Sequence, residues 1–301
     1  MKRYYIKDVE NLTGIKAHTL RVWEQRYDFL KPHRTDTNIR FYDEYQLKKL
    51  LNVSLLVSKG QKISKICCLT DDELNCKIKD IYENVDNDLG EQTIPFKINS
   101  LIVAMLDMDE VKFSQIVSTS LMKRGMAKTI SMVLFPFIQR LQIMWRTGEV
   151  STAQEHFVFN LIRQKLYVAI DSLPLAPKQA KKFVVFLSEN STNDLYILFY
   201  IYFLKLEGHQ IINLGKDISL SDIKGLQPVV NPDFLFTYFD YLSSPEKIKN
   251  VINPIAESFD IPMWVAGDHD CMENLDFLAK NVDVVCGLDC FQKKIQLSAE
   301  I

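Results

Sequence analysis

The residues best placed to do chemistry lie near the start of the chain, and they suit a polyanion. Lys16, His18, Thr19, Arg21 and Arg26 accompany Leu20, Trp23 and Tyr27, which stand three and four apart. Residues at that spacing share one helix face. The aromatic stripe is therefore expected to pack inward, with the cationic set on the other faces. Such a helix can sit in a major groove and also touch phosphates. Further on, Arg34 and Arg40-Phe41-Tyr42 flank the turn residues Asp36, Thr37 and Asn38, behind Pro32. That arrangement predicts a tight hairpin with Arg at both ends, a wing that grips a nucleic-acid backbone. No Ser/His/Asp or paired-carboxylate spacing is found. His209, Asp217 and Asp268-His269 are scattered and read as solvated, so no enzymatic activity is expected.

Two short helices must carry the cationic face. Ile6, Val9 and Leu12 give one apolar stripe over residues 6–12, and a second helix is predicted over residues 16–26. Gly14 supplies the turn between them, where φ can be positive. Charge follows the same division. Residues 1–70 carry 14 Lys/Arg against 7 Asp/Glu, a net +7, while the whole chain is −2, so the remainder is −9. A basic head on an acidic body is the electrostatic footprint of a nucleic-acid reader.

The stretch Tyr5-Ile-Lys-Asp-Val, Thr19-Leu-Arg21-Val-Trp23-Glu24-Gln-Arg26-Tyr27, Leu30-Lys-Pro32, Arg34 and Arg40-Phe41-Tyr42 strongly resembles the MerR family of bacterial transcription regulators. The resemblance runs through both helices and the wing in order. It implies that Arg21, Tyr27, Arg34, Arg40 and Tyr42 hold DNA, mostly through phosphates. It also implies a homodimer or higher oligomer on double-stranded promoter DNA, with RNA polymerase as a further partner.

At 301 residues the chain has room for two or three domains. Apolar content of 47% and charged content of 25% place it among globular proteins rather than disordered or membrane-embedded ones. No signal-peptide pattern follows Met1, and no apolar run reaches the roughly 18 residues of a membrane span, so a cytoplasmic protein is expected. The run from Tyr196 to Leu206 is intensely apolar but short, which predicts a buried helix. The 6 cysteines form no Cys-x-x-Cys pair and read as reduced core thiols. A zinc site from His269, Cys271 and Cys286 has the wrong spacing for structural zinc. No metal is expected.

The domains are placed at residues 1–75 (winged helix-turn-helix), 76–95 (a linker with a terminal helix), 96–176 (a four-helix bundle) and 177–301 (an α/β doubly wound parallel sheet). Asp43 caps a helix over residues 43–59 that stops at Gly60. Short helices follow over residues 63–68 and 71–85, the latter with a Thr70/Glu73 capping box. Bundle helices are predicted over residues 97–106, 109–124, 126–146 and 152–172, with a kink at Pro136. Beyond residue 182 strands alternate with helices. Strands over residues 183–187, 210–214, 234–239, 262–265 and 282–285 are continuously apolar, as buried parallel strands are.

A helical bundle and an α/β domain behind such a head resemble the cobalamin-binding MerR regulators, some of which sense light with adenosylcobalamin. The resemblance implies that Trp145 and Glu155-His156 cap the upper face of the corrin. By residue type alone Trp145 reads as core, while a buried Glu155 and His156 would need partners. The lower side departs from the pattern Asp/Glu-x-His-x-x-Gly. Asn193 stands where the cobalt-ligating His belongs, and an amide is a poor cobalt ligand beside imidazole. Tyr196 stands where Gly lets the corrin come close. Thr237-x-Phe239 replaces a Ser with a smaller second residue, and Ala266-Gly267 replaces a Gly-Gly pair. These departures argue against His-on cobalamin. Base-on or weak binding of adenosylcobalamin through the bundle stays open, beside a pocket turned to another small molecule and a domain kept for assembly.

Overall fold

A computed structural model describes residues 3–27, 29–74, 76–78, 93–146, 150–188, 194–226, 229–240, 243–267, 272, 275 and 279–298. The chain divides into two compact units, Met1–Leu161 and Ile162–Ile301.

The first unit opens with β1 (Tyr4–Tyr5), α1 (Ile6–Thr13), α2 (Ala17–Tyr27), β2 (His33–Arg34), β3 (Arg40–Tyr42), α3 (Glu44–Ser58) and α4 (Ile63–Ile66). Gly14 ends α1 with φ +73°, the left-handed turn expected of it. Asp43 caps α3, accepting from the Gln46 N–H at 2.8 Å, while the Gln46 side chain accepts from the Asp43 N–H at 3.2 Å. The wing is antiparallel, with His33 opposite Phe41 and Arg34 opposite Arg40. A further strand, β1, not expected from the sequence, pairs with β3 on its other edge. Two residues are too few to show a period.

The bundle follows: α5 (Ile94–Leu106), α6 (Glu110–Thr129), α7 (Phe135–Arg146) and α8 (Thr152–Asp171). Asp109 caps α6, and Ser151 and Gln154 cap α8 reciprocally. α5 is buried all round, so its polar residues need internal partners. The Arg140 guanidinium donates to Asn99 at 2.6 Å, and the Lys97 ammonium to Ser120 at 3.3 Å. Gly125, with φ +73° and ψ 170°, breaks α6 where the join was expected. Before Pro136 there is a π turn over Ile130–Leu134, in which the Phe135 N–H reaches back to the Ile130 carbonyl. A proline ring clashes with the carbonyl four residues before it, and a widened turn accommodates it.

The second unit holds β4 (Lys182–Ser188), α9 (Leu195–Leu206), β5 (Gln210–Ile218), α10 (Leu220–Leu226), β6 (Phe234–Phe239), α11 (Pro245–Ala256), β7 (Met263–Gly267), β8 (Val282–Cys286) and α12 (Gly287–Ser298). All strand pairs are parallel, in the order β5-β4-β6-β7-β8. The chain starts in the middle and turns back, so the switch point lies between β4 and β6. One face packs Val184, Phe186, Leu235 and Val265 against Ile248, Ile252 and Ile255 of α11. The other packs Phe236, Tyr238 and Trp264 against Tyr196 and Tyr200 of α9 and Phe291 of α12. Leu195 to Leu204 of α9 are all buried, as expected of that apolar run. The final helix α12 was not anticipated. The alternation also calls for a helix between β7 and β8, and residues 271–280, where it would fall, lie largely outside the described residues.

The cysteine expectation is corrected. Cys68, Cys76 and Cys290 are exposed and Cys67 and Cys286 half-buried, so none of these is a core thiol. Cys271 and His269 lie outside the described residues, among which no cluster could hold a metal. No helix among them is long and apolar enough to cross a membrane.

His209, just before β5, gives the second unit a pH-dependent stability. Its ring packs on Phe183 at 5.1 Å, it is 6% exposed, and its Nε2 finds no partner among the described residues. Burial holds its imidazole below the ordinary range, against the pull of Glu207. The unfolded chain therefore takes up the proton first as pH falls. The His209 contribution is complete above the unfolded pKa of about 6.5 and is lost as pH falls below it. Urea unfolding of His209→Phe beside the wild type should show a flatter dependence between about pH 7.5 and 5. Equal slopes would refute this.

Candidate nucleic-acid interface and sensor module

α2 exposes what the sequence assigned to it. Leu20 and Trp23 are buried, and Lys16, His18, Arg21, Gln25 and Arg26 are exposed, with Thr19 and Tyr27 half-buried. The helix is held by its neighbour. Glu10 of α1 accepts from the Ala17 backbone N–H and from the Lys16 ammonium, both at 3.0 Å, so α1 caps α2. These bonds hold the Glu10 carboxyl below the usual range. Arg26 lies over the Tyr27 ring, 5.5 Å from its centre. At the wing tip, Asn38 takes φ +64°, and Arg34 donates to its side chain at 2.6 Å. Arg34 stays exposed.

Two of the wing residues also pack into the head. Tyr42 is fully buried, and its hydroxyl donates to Glu24. Burial first, and the Glu24 carboxylate second, push that phenol far above its ordinary range. Arg40 donates to the other Glu24 oxygen at 3.0 Å. Glu24, whose side chain is 7% exposed, therefore clamps the last wing strand to α2. Tyr42 is part of the head's core. Sequence reasoning quoted Glu24 only as part of a motif. Its adjacency to Trp23 on an inward-turning helix was the available signal.

The cofactor-side residues fall in two groups, one in each unit. In the first, Trp145 is 37% exposed, Glu155 is half-buried and His156 exposed. The expectation of a core Trp and a buried Glu-His pair is corrected. Val158, Phe159, Ile162 and Leu166 form the inner face of α8, and His156 falls on the stripe opposite, with Asn160 and Tyr167. Burial pushes the Glu155 carboxyl up, and His156 opposes that shift.

In the second unit, Asn193 lies outside the described residues. The other three candidates are not brought together. Tyr196 is 1% exposed and stacks on Tyr238, with ring centres 5.0 Å apart and planes 7° apart, on the α9 face. Thr237 alternates with Tyr238, so it points to the α11 face. Gly267 pairs with Phe239 and lies on that face too. A Cβ at Gly267 would stand 2.1 Å from the Met272 terminal methyl and 2.7 Å from the Phe239 carbonyl. Met272 already uses the room that the glycine leaves. Beside Asn193, Asp194 accepts from Arg163 at 2.7 Å, with the Lys216 ammonium 3.8 Å away.

Residues 4–71 match the MerR HTH family regulatory protein model. The head is a MerR-type helix-turn-helix domain. Residues 97–170 match the B12 binding domain, so a bundle of B12-binding type follows the MerR-type head. The chain is 22% identical over 269 residues to the HTH-type transcriptional repressor CarH of Myxococcus xanthus, covering 88% of this chain and 89% of that protein. It is 23% identical over 249 residues to CarA of the same organism, covering 82% and 80%. The Methanosarcina barkeri monomethylamine corrinoid protein shares the fold, with a TM-score of 0.52 at 14% identity, over 66% of this chain and 96% of that one.

These residues can be tested for a fit to the cobalamin that such modules hold. The buried hydroxyls of Ser188 and Thr237 have no partner among the described residues, which suits a buried polar ligand. Met272 is an obstacle, but a soft one, since an unbranched thioether repacks readily. Tyr196 is a hard one. Displacing a fully buried aromatic ring from its packing costs about 3–5 kcal/mol, judged from truncations of such residues. Among the described residues, Tyr196 on the sheet side does not fit the cofactor.

Proposed function

We propose that this chain is a DNA-binding transcription regulator, a homodimer or higher oligomer acting on promoter DNA in the cytoplasm. Two copies of α2 enter successive major grooves, and the two wings grip the flanking backbone. Lys16, His18, Thr19, Arg21 and Arg26 supply the groove-facing set, with Tyr27 and Arg34 as further contacts. The exposed cationic face of α2 carries this reading. Regulation then works through promoter shape as RNA polymerase meets it, since deforming DNA has an energy that a bound protein can supply. The C-terminal half is the regulatory module. Adenosylcobalamin is not part of the reading, because Tyr196 on the sheet side does not fit it.

A mobility-shift assay on DNA upstream of the protein's own coding region tests the proposal. Binding at least ten times tighter than to scrambled DNA is expected, weakening steeply with salt, as roughly expected of phosphate contacts. Equal affinity for both DNAs would sink it.

A second reading makes the C-terminal half an assembly device only. Tyr167, Val168 and Leu175 of the second unit are 50%, 71% and 92% exposed, which suits a surface covered in an oligomer. Light scattering decides between the two. A mass that stays constant with adenosylcobalamin, light and cell extract favours assembly alone.

A further inference from the structure

We propose that the carboxyl edge of the sheet is closed by this chain's own side chains, so that the module is built without a corrinoid and does not retain one. This rests on reading the chain as a regulator with a B12-derived half, and it says how that half stays folded.

Three observations converge. On the α9 face, Tyr196 fills the first turn of the helix and stacks on Tyr238 of the switch-point strand β6. On the α11 face, the Met272 side chain occupies the slot along Gly267, and Met272 is itself 4% exposed. At the start of α9, Asp194 is held between Arg163 of α8 and Lys216 of β5. An ion pair from α8 to the N-cap residue of α9, seconded by Lys216 of β5, pins the start of that helix with charge. The side chains of Arg163 and Asp194 are 24% and 25% exposed, enough cover for the pair to hold at ordinary salt. Filling and pinning are both properties of residues that would be out of place in an open cradle. Glycine at residue 196 would leave the space empty, and a neutral residue at 194 would remove the charge that faces Arg163 and Lys216.

The test uses the full chain. It is incubated in the dark with adenosylcobalamin and separately with hydroxocobalamin, then desalted, and its visible spectrum, its Tm and its shift of promoter DNA are measured on the same samples. The expected result is a spectrum at the level of the buffer control and a Tm that neither corrinoid moves. Retained corrin absorbance in a fixed ratio to protein, or a Tm raised by either corrinoid, would overturn the proposal. A second variant checks the pin. Asp194→Asn is expected to lower Tm equally with and without corrinoid, and an unmoved Tm would overturn the role given to the triad. A colourless protein that fails to bind DNA counts against the regulator reading alone. A coloured protein that binds DNA counts against the closed edge alone.

Discussion

Glu24→Ala should destabilise the head by about 2–4 kcal/mol. Two groups lose their partner at once. The Tyr42 hydroxyl is fully buried and would be left with no acceptor, a loss of about 1–3 kcal/mol. Arg40 would lose a carboxylate that is almost fully covered. Breaking a buried ion pair costs about 3–5 kcal/mol. Arg40 is 28% exposed, however, and can turn to water, so its share falls below that range. Glu24→Gln keeps an acceptor for Tyr42 and should lose less. The measurement is the first thermal transition of the full chain. If Glu24→Ala shifts it no more than an exposed substitution does, the clamp is not what holds the wing to α2.

Arg21→Ala should behave in the opposite way. Arg21 is exposed on α2, so Tm should stay within error while promoter affinity falls about tenfold. The slope of log K against log salt should drop by about 1, the signature of one lost phosphate contact. Arg40→Ala should lower Tm first and affinity only as the wing loosens, because its guanidinium is engaged with Glu24. An unchanged salt slope for Arg21→Ala would remove that residue from the interface. The pair of variants separates residues that touch DNA from residues that shape the surface touching it.

Much of this protein was legible from local pattern. The stripes Ile6/Val9/Leu12 and Leu20/Trp23 placed α1 and α2, Gly14 their turn, and Asp43 the start of α3, because helix periodicity and caps are encoded within a few residues. The apolar strands and the buried helix α9 were legible for the same reason. So was the basic head on an acidic body. What the tertiary structure decided concerns residues far apart in the chain. Arg40, Tyr42 and Glu24 are separated by 16 and 18 positions, and only the docking of the wing on α2 makes them one cluster. Strand order, and with it the split of Tyr196 from Thr237 and Gly267 onto opposite faces, depends on which strands pair. Trp145 and His156 turned outward because one step along a helix rotates a side chain by about 100°, so neighbours of a buried residue can face solvent. Periodicity says which residues share a face. Only packing says what that face meets.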